Sequence, residues 1–238
     1  MGCVHGAEDL EESQLVVDEL PGTDRCREHG DGTALSGSPR LFLVRHGETA
    51  WSITGQHTGL TDLELTAHGE DEARALAPRL HTISFARILT SPLRRARRTC
   101  ELAGFGAEAQ IEPELVEWNY GDYEGKLSAD IPGWNVWRDG CPNGESPANI
   151  ESRADRLLDR LRALSGNVAL FSHGQFGAAL AARGVELAVE EAQHLALGPA
   201  SISILAYESG HPTVPVIALW NAYADIHMDA PPVGVMSR

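Results

Sequence analysis

Short, uninterrupted apolar runs constrain the fold of this chain more than any other feature. Residues 41–44, 88–89 and 168–171 form three such runs, and segments with helical spacing of apolar residues follow them. Continuous apolar runs are typical of strands buried on both faces, and strands that alternate with helices favour a parallel sheet. Two later runs, 202–207 and 214–220, are interpreted as further strands. We therefore expect an α/β fold, a single three-layer domain whose mainly parallel β-sheet carries helices on both faces.

Capping residues predict where the helices begin. Thr66 is expected to cap a helix over 67–80, and Pro78 is expected to kink the last turn of that helix. Ser91 followed by Pro92 is a second start signal, because serine caps helices and proline fits the first helical position. Further helices are expected from Ser146-Pro147 to about Leu164, and after the third apolar run through Arg183.

Charge divides the chain into two parts. Residues 1–39 hold nine acidic side chains against two arginines, and they end in a stretch rich in glycine, serine and proline. Such a composition is typical of linkers and of segments that lack a packed core. We therefore expect an acidic, disordered leader at 1–39 and one folded domain at 40–238.

The composition of the whole chain argues against several classes of function. The formal net charge of -15 disfavours nucleic-acid binding, because phosphate backbones are held by broad basic surfaces. No apolar stretch is long enough for a membrane span, and the N-terminus lacks the basic start and apolar core of a secretory signal. The four cysteines lie far apart, so we expect reduced thiols and a cytoplasmic location.

Polar side chains stand at the ends of the three central strands. Arg45 and His46 follow the first strand, Ser91 the second and His173 the third. Parallel α/β sheets bind ligands beyond the carboxyl ends of their strands, so these side chains are expected to converge. Neutral imidazole is nucleophilic near pH 7, and water can cleave a phosphoryl group from its ring nitrogen. His46, flanked by Arg45 and Gly47, is therefore a candidate nucleophile for phosphoryl transfer.

Phosphoryl transfer also needs fixed positive charge and a proton donor. A cluster of four arginines follows the second strand: Arg94, Arg95, Arg97 and Arg98. Arg45 and one member of this cluster could clamp a phosphoryl group through paired hydrogen bonds, and His173 would add a donor if it is protonated. Either Glu117 or Glu124 could exchange a proton with the leaving group and with water, and aromatic neighbours could desolvate both. The residue pattern leaves both choices open.

The pattern disfavours metal-dependent and ATP-dependent chemistry. The ten histidines include no H-x-H or H-x-x-x-H pair, and no aspartate cluster has the spacing of a two-metal site. The chain also has a single lysine, Lys126, and no glycine-rich phosphate loop that ends in Lys-Ser or Lys-Thr. We therefore expect neither a metal nor a cofactor.

Several motifs resemble, in their usual order, those of the histidine phosphatase superfamily, also called phosphoglycerate-mutase-like. They lie between about residues 41 and 185: Arg45-His46-Gly47-Glu48-Thr49, the segment 58–69, Ser91-Pro92-Leu93 with Arg95, Ala96 and Thr99, the segment 117–125, and Ser172-His173-Gly174. The resemblance implies a phosphoglycerate-mutase-like fold and a metal-independent phosphatase. It also implies these roles: His46 as the phosphorylated nucleophile, Arg45, Arg95 and His173 as phosphoryl-binding residues, and Glu117, rather than Glu124, as the proton donor.

The segments 117–125 and 134–145 resemble the branch that contains sedoheptulose-1,7-bisphosphatase and broad acid phosphatases. This resemblance implies sugar phosphates or bisphosphates as substrates. We hypothesise that Arg138, or Gln56 and His57, contacts the distal part of the substrate, and a stabilising ion pair is the alternative role for Arg138. Thr58, Gly59 and Gly174 complete the expected substrate-binding set.

Two other functions compete with hydrolysis. Phosphoglycerate mutases return the phosphoryl group to the product and resemble this chain in the core, but they carry a longer insertion between the acid and the second histidine. Only 55 residues separate Glu117 from His173 here, which favours hydrolysis. A regulatory module that binds phosphoproteins would be expected to have lost the nucleophile or the acid, and both are present. The expected partner is therefore a small phosphorylated metabolite, with no nucleic acid or membrane, and a monomer or a homodimer is compatible with the pattern.

Overall fold

The computed structural model describes residues 39–209 and 211–223, so the expected acidic leader falls outside the described residues apart from Pro39. The first half contains β1 (Arg40–Arg45), α1 (Ala50–Thr54), α2 (Ala67–Ala75), α3 (Ala77–Leu80), β2 (Phe85–Thr90), α4 (Arg94–Leu102) and β3 (Gln110–Ile111). The second half contains α5 (Val136–Asp139), α6 (Pro147–Arg162), β4 (Asn167–Ser172), α7 (Gly174–Gly184), β5 (Ile202–Glu208) and β6 (His211–Ala222). Short 3₁₀ turns lie at Pro113–Leu115, Gly121–Tyr123, Ser128–Asp130 and Val189–His194. No helix within the described ranges is long and apolar enough to cross a membrane.

The six strands within the described ranges form one sheet in the order β3-β2-β4-β1-β5-β6. β1 pairs with β4, β4 with β2, and β2 with β3, all in parallel. β5 runs antiparallel to β1, and β6 runs antiparallel to β5. The chain returns from β5 to β6 within a few residues, which only an antiparallel pair allows. The expected mainly parallel sheet is therefore confirmed, with an antiparallel hairpin at one edge.

Two apolar clusters cover the two faces of the sheet. Leu41 and Leu43 of β1 pack in one cluster with α6 and α7, whereas Val44 belongs to a second cluster that includes Leu80 of α3 and Cys100 of α4. Successive side chains of a strand point to opposite faces, so a strand that contributes to both clusters is buried on both sides. This arrangement confirms the three-layer domain and the interpretation of the continuous apolar runs.

Two expected helix boundaries are wrong by a few residues. The helix after Thr66 does not run to residue 80 with a kink in its last turn: it ends at Ala75, and Pro78 lies in the first turn of the separate α3, where a missing N–H costs no hydrogen bond. Ser91 and Pro92 do not start α4, which begins at Arg94 because Leu93 is extended, with φ -73° and ψ 138°. By contrast, Ser146 caps α6 as expected, accepting a hydrogen bond from the backbone of Asn149.

Candidate active site

A cleft of about 220 Å³ opens beside the carboxyl end of β1 and the start of α7. Its lining residues are Arg45, His46, Thr49, Trp51, Ser52, Gly55, Gln56, His57, Thr58, Glu117, Tyr120, Ser128, Gly174, Gln175 and Leu197. Because β1, β2 and β4 are parallel neighbours, their carboxyl ends meet at this edge of the sheet. Most of the expected site residues therefore come together at one place.

The hydrogen bonds of His46 fix which ring nitrogen is free. Nδ1 lies 2.7 Å from the carbonyl oxygen of Gly47. A carbonyl oxygen can only accept, so Nδ1 carries the proton and Nε2 keeps its lone pair. The main chain of His46 is also held, because its N–H donates to Ser172 O at 3.0 Å and its carbonyl accepts from Ala200 N at 3.1 Å. His46 is 5% exposed, so the imidazole is presented to the cleft from a rigid backbone.

Close backbone packing supports the residue that follows the candidate nucleophile. Gly47 N donates to Thr99 Oγ1 at 3.0 Å, and the Thr99 hydroxyl donates to Arg95 O at 2.8 Å. A Cβ at Gly47 would overlap the carbonyl oxygen of Gly69. Glycine is therefore required here, because only a residue without a side chain lets the His46 loop touch the first turn of α2.

Burial keeps His46 unprotonated. Desolvation, followed by the nearby guanidinium groups of Arg95 and Arg45, holds the pKa of His46 well below its ordinary value of 6.5, although the hydrogen bond to Gly47 opposes this shift. A lowered pKa favours the neutral imidazole, and the neutral form is the nucleophilic one. The site can therefore keep a reactive Nε2 in weakly acidic solution.

Both ring nitrogens of His173 are occupied by protein groups. Arg95 Nε donates to Nδ1 at 3.2 Å, so Nε2 carries the proton and lies 2.8 Å from Ser91 Oγ. Burial, with Arg95 and His46 as further causes, holds the pKa of His173 well below 6.5. His173 is thus neutral, and its ring centroid lies 5.2 Å from that of His46. The lowered pKa disfavours the protonated form that the extra donor would need, and a role of His173 in phosphoryl binding stays a prediction.

Arg95 is the member of the arginine cluster that reaches the site. Its side chain is fully buried, whereas Arg94 and Arg98 are partly exposed and form ion pairs with glutamates on the surface. Beyond His173, Arg95 donates to the carbonyls of Thr58, Gly59 and Thr61, at 2.8 to 3.3 Å. A guanidinium has five N–H groups, so one Nη1–H is left for a ligand oxygen. Arg95 therefore braces the loop after the nucleophile as well as adding positive charge.

Arg45 keeps more of its donors available. Nη1 donates to Leu197 O, while Nε is buried and has no hydrogen-bond partner among the described residues. A Cβ at Gly174 would lie only 3.3 Å from the guanidinium carbon, so glycine there gives the flat group room. Burial lowers the pKa of Arg45, but arginine remains charged at every pH of interest. An unpaired buried N–H is costly, and an anionic oxygen in the cleft would satisfy it.

Glu117 joins two segments of the chain at the cleft. Its Oε1 accepts from Trp118 N at 2.9 Å and from Phe176 N at 2.7 Å, and Oε2 accepts from Gln175 N at 3.0 Å. The last two donors belong to the first turn of α7, whose N-cap residue His173 supplies no side-chain cap. A carboxylate suits such a helix N-terminus. Oε2 accepts one bond fewer than Oε1, so Oε2 has the capacity to carry a proton.

Other expected residues have different places. Glu124 Oε1 accepts from Gly59 N at 2.8 Å and from Thr61 N at 3.1 Å, so it holds the loop that Arg95 also binds. Gln56 lines the cleft, but its amide donates to Gly125 O at 2.8 Å and accepts from the Thr54 hydroxyl at 2.7 Å. The ring of His57 stacks on Tyr120, with centroids 4.9 Å apart. Gln56, His57 and Tyr120 therefore shape the wall of the cleft, whereas Glu124 is not among its lining residues.

The structure does not bring Arg138 to the cleft. Its guanidinium donates to both carboxylate oxygens of Asp139, at 2.8 and 2.7 Å, and to Gly133 O at 2.7 Å. The side chain is 66% exposed. The ion pair matches the alternative role of this residue, and a substrate contact by Arg138 stays a prediction. Within the described ranges, histidine, cysteine, aspartate and glutamate form no cluster that could hold a metal ion.

Sequence reasoning assigned no role in the site to three residues that organise it: Ser91 as a partner of His173, Thr99, and Arg153. Thr99 lies four residues after Arg95 on the buried face of α4. Residues with this spacing share one side of a helix, so the spacing could have placed Thr99 beside Arg95. Arg153 lies three residues after Ile150, within the apolar stripe of α6. A buried arginine needs hydrogen-bond partners, so the position of Arg153 in the apolar stripe could have indicated a structural role within the fold.

Comparisons with known proteins identify the family and its relatives. The model of a family described as histidine phosphatase superfamily (branch 1) matches residues 41–221. An acid phosphatase from Mycobacterium tuberculosis is 40% identical over 188 residues, which cover 76% of this chain and 92% of that protein. Sedoheptulose 1,7-bisphosphatase from Saccharomyces cerevisiae is 35% identical over 173 residues, 58% of this chain and 64% of that protein. The solved structure of an open-reading-frame product from M. tuberculosis, 38% identical, matches with a TM-score of 0.73 over 78% of this chain and 98% of that one.

Proposed function

The chain belongs to the histidine phosphatase superfamily, branch 1, and from this premise we propose that it hydrolyses sugar monophosphates and similar small phosphomonoesters through a phosphohistidine on His46. The resemblance found in its motifs is thereby confirmed, and the chain is a phosphatase of this family, whose chemistry uses no metal ion. One observation carries the proposed mechanism: the 2.7 Å contact from His46 Nδ1 to Gly47 O leaves Nε2 as a free nucleophile.

In the first step, His46 Nε2 attacks phosphorus and the bond from phosphorus to the ester oxygen breaks. The positive charge that develops on the imidazole is stabilised by the hydrogen bond from Nδ1–H to the Gly47 carbonyl. The Arg45 guanidinium, with an unpaired buried Nε, is placed to bind the phosphoryl oxygens together with the last free N–H of Arg95. The leaving alkoxide takes a proton from Glu117, which lines the same cleft.

In the second step, water attacks phosphorus and Nε2 leaves. Glu117, now ionised, accepts a proton from the water, and phosphate and the neutral His46 are formed. Three backbone N–H groups fix the Glu117 carboxylate, so the same group can act as acid and then as base without moving.

The charges around the cleft support a monophosphate with an uncharged leaving group. Among the described residues that line the cleft, Arg45 is the single arginine or lysine. The rest of the lining includes the rings of Trp51, His57 and Tyr120, together with hydroxyl and amide groups. Burial holds the pKa of His57 below 6.5 against the opposing effect of Glu124, so His57 adds no charge at neutral pH. A second phosphate group would be desolvated there without a counter-ion, which is costly.

The same reasoning disfavours the mutase alternative. Phosphoglycerate carries a carboxylate on its leaving-group side, and its bisphosphorylated intermediate must stay bound until the phosphoryl group returns. In the proposed mechanism Arg45 and Arg95 both bind the transferred phosphoryl group. No other arginine or lysine among the described residues lines the cleft, so no positive charge is left to hold a second phosphate of that intermediate. Water is therefore the better acceptor.

A phosphate-release assay with matched substrates tests the proposal. Fructose 6-phosphate and fructose 1,6-bisphosphate differ by one phosphate group, and we expect kcat/KM to be about tenfold higher for the monophosphate, the ratio that corresponds to about 1.4 kcal/mol of binding. His46→Ala should abolish release from both substrates. A coupled assay with 3-phosphoglycerate completes the set: mutase turnover without phosphate release would refute hydrolysis, and a faster reaction of the bisphosphate would refute the substrate class.

A further inference from the structure

Helix α6 carries four arginines, and one of them differs from the rest. Arg156, Arg160 and Arg162 expose 59%, 50% and 40% of their side chains, as expected for the polar face of a helix. The Arg153 side chain is 8% exposed. Burial of a guanidinium is expensive unless its charge and all its donors are satisfied. Packing of the apolar face of α6 does not by itself account for a buried arginine, so the partners of Arg153 need an explanation.

Arg153 binds the segment that leads into Glu117. Nη1 donates to the carbonyl oxygens of Glu114, at 2.8 Å, and Val116, at 2.7 Å. Nη2 donates to the carbonyl of Glu117 itself at 3.3 Å. The remaining N–H groups go to Glu145: Nε to Oε1 at 3.0 Å and Nη2 to Oε2 at 2.9 Å. All five donors are therefore used, three of them on the backbone that carries the proposed proton donor.

Glu145 holds the chain on the other side of Glu117. Its Oε2 accepts from Asn119 N at 2.8 Å, and its main-chain carbonyl accepts from Trp118 Nε1 at 3.0 Å. The Glu145 and Arg153 pair thus fixes the residues before and after Glu117.

Arg153 also touches the element that binds the Glu117 carboxylate. Its guanidinium carbon lies 4.0 Å from the centre of the Phe176 ring, a cation–π contact. Phe176 N donates to Glu117 Oε1 at 2.7 Å. One buried cation therefore joins the backbone of Glu117 to the first turn of α7, which receives its carboxylate.

We propose that Arg153 is a positioning residue for proton transfer by Glu117. The inference rests on the proposed function, in which Glu117 protonates the leaving group. Arg153 acts by fixing the distance and direction of the carboxyl group relative to the ester oxygen, and small displacements of a proton donor are costly to catalysis. Loss of Arg153 should therefore slow turnover most for substrates whose leaving group must be protonated.

The dependence of kcat on the leaving group separates a positioning role from a purely structural one. A merely structural defect would lower kcat equally for all substrates. p-Nitrophenolate departs without a proton, whereas the alkoxide of a sugar phosphate requires one. For Arg153→Met we expect kcat with an alkyl phosphate to fall at least about tenfold, within the range of about 10²–10⁴ that a general acid contributes. With p-nitrophenyl phosphate kcat should fall less than about threefold.

Three variants accompany Arg153→Met. Arg156→Met is the matched control, because Arg156 bonds the Glu114 side chain from the exposed face of the same helix, and it should retain both activities. Arg153→Lys keeps the charge but loses the fork of donors, so it should share the selective loss. Removal of Arg153 leaves Glu145 without its cation, and the double variant Arg153→Met with Glu145→Gln removes that charge if the single variant folds poorly.

Glu117→Gln separates this inference from the proposed function. If Glu117→Gln loses alkyl phosphate turnover selectively and the Arg153 variants lose both substrates equally or neither, the positioning role is refuted while the acid role stands. If Glu117→Gln itself has no leaving-group dependence, the proposed proton donor is wrong and the role of Arg153 falls with it.

Discussion

Mild acid should destabilise this protein through its two buried histidines. His46 is 5% exposed and His173 is fully buried, and burial with nearby positive charge holds the pKa of each well below 6.5. In the unfolded chain both return to about 6.5. Below that pH the unfolded state binds more protons than the folded state, so the free energy of unfolding falls as the pH decreases toward the folded-state values.

The size of the effect follows from proton binding to the unfolded chain. Between pH 7.5 and 5.5, a histidine that stays neutral when folded and titrates at about 6.5 when unfolded costs roughly 1–2 kcal/mol, and two cost roughly 3 kcal/mol. Other groups also titrate over this range. The part of the change in the free energy of unfolding that is due to the histidines is therefore obtained from variants. His46→Asn removes one imidazole and retains an amide that can donate to Gly47 O, and it should reduce the difference between the two pH values by roughly 1–2 kcal/mol.

Urea unfolding followed by tryptophan fluorescence measures this difference, since the chain has five tryptophans. Wild type, His46→Asn and the double variant with His173→Asn are compared at both pH values, and His194→Asn, which removes an imidazole that is 70% exposed, is the control variant. If wild type and the double variant lose the same free energy of unfolding on acidification, the two histidines do not stay neutral in the folded protein. Burial and nearby positive charge would then not explain why His46 is a neutral nucleophile.

Other perturbations give further tests. Gly47→Ala introduces a Cβ that overlaps Gly69 O, so we expect a stability loss of roughly 1–3 kcal/mol in urea unfolding, and the displaced nucleophile should lower kcat. Ser91→Ala removes the 2.8 Å contact to His173 Nε2 and should lower kcat about tenfold in a phosphate-release assay. Dialysis against a chelator should leave that activity unchanged, because no step uses a metal ion. Truncation of residues 1–39 should preserve kcat/KM, because among the described residues all those that line the cleft lie between 45 and 197.

Each of these outcomes can fail. A fully active and stable Gly47→Ala variant would contradict the close packing of the His46 loop, and an unaffected Ser91→Ala variant would mean that His173 needs no partner. Loss of activity with the chelator, restored by a divalent cation, would contradict the metal-independent mechanism. Loss of activity on truncation would assign the leader a role in the site.

The arrangement of strands and of the residues at their ends could be predicted from the sequence. Parallel strands end at the same edge of a sheet, so Arg45 and His46 after β1 and His173 after β4 had to lie at one edge. Periodicity could not fix the start of α4, because Ser91 satisfies the rules for a cap while its hydroxyl is engaged with His173. A tertiary contact overrides a local preference there.

Partners of long charged side chains were harder to predict. Arg138 was expected at the substrate, yet it pairs with its sequence neighbour Asp139, and helical spacing does not favour neighbours as partners. Arg153 is one of four arginines on α6, and it lies within the apolar stripe of that helix. Its partners come from segments 8 to 39 residues away in the sequence, so only the folded chain reveals them.

Trapping of the covalent intermediate tests the central claim most directly. Enzyme mixed with excess phosphomonoester is quenched within milliseconds in alkaline denaturant, which preserves phosphohistidine, and the phosphorylated peptide is identified by mass spectrometry. The mechanism predicts a phosphoryl group on His46 that forms and decays at rates compatible with turnover, and none in His46→Ala. A phosphoryl group on another residue, or turnover by His46→Ala, would contradict it.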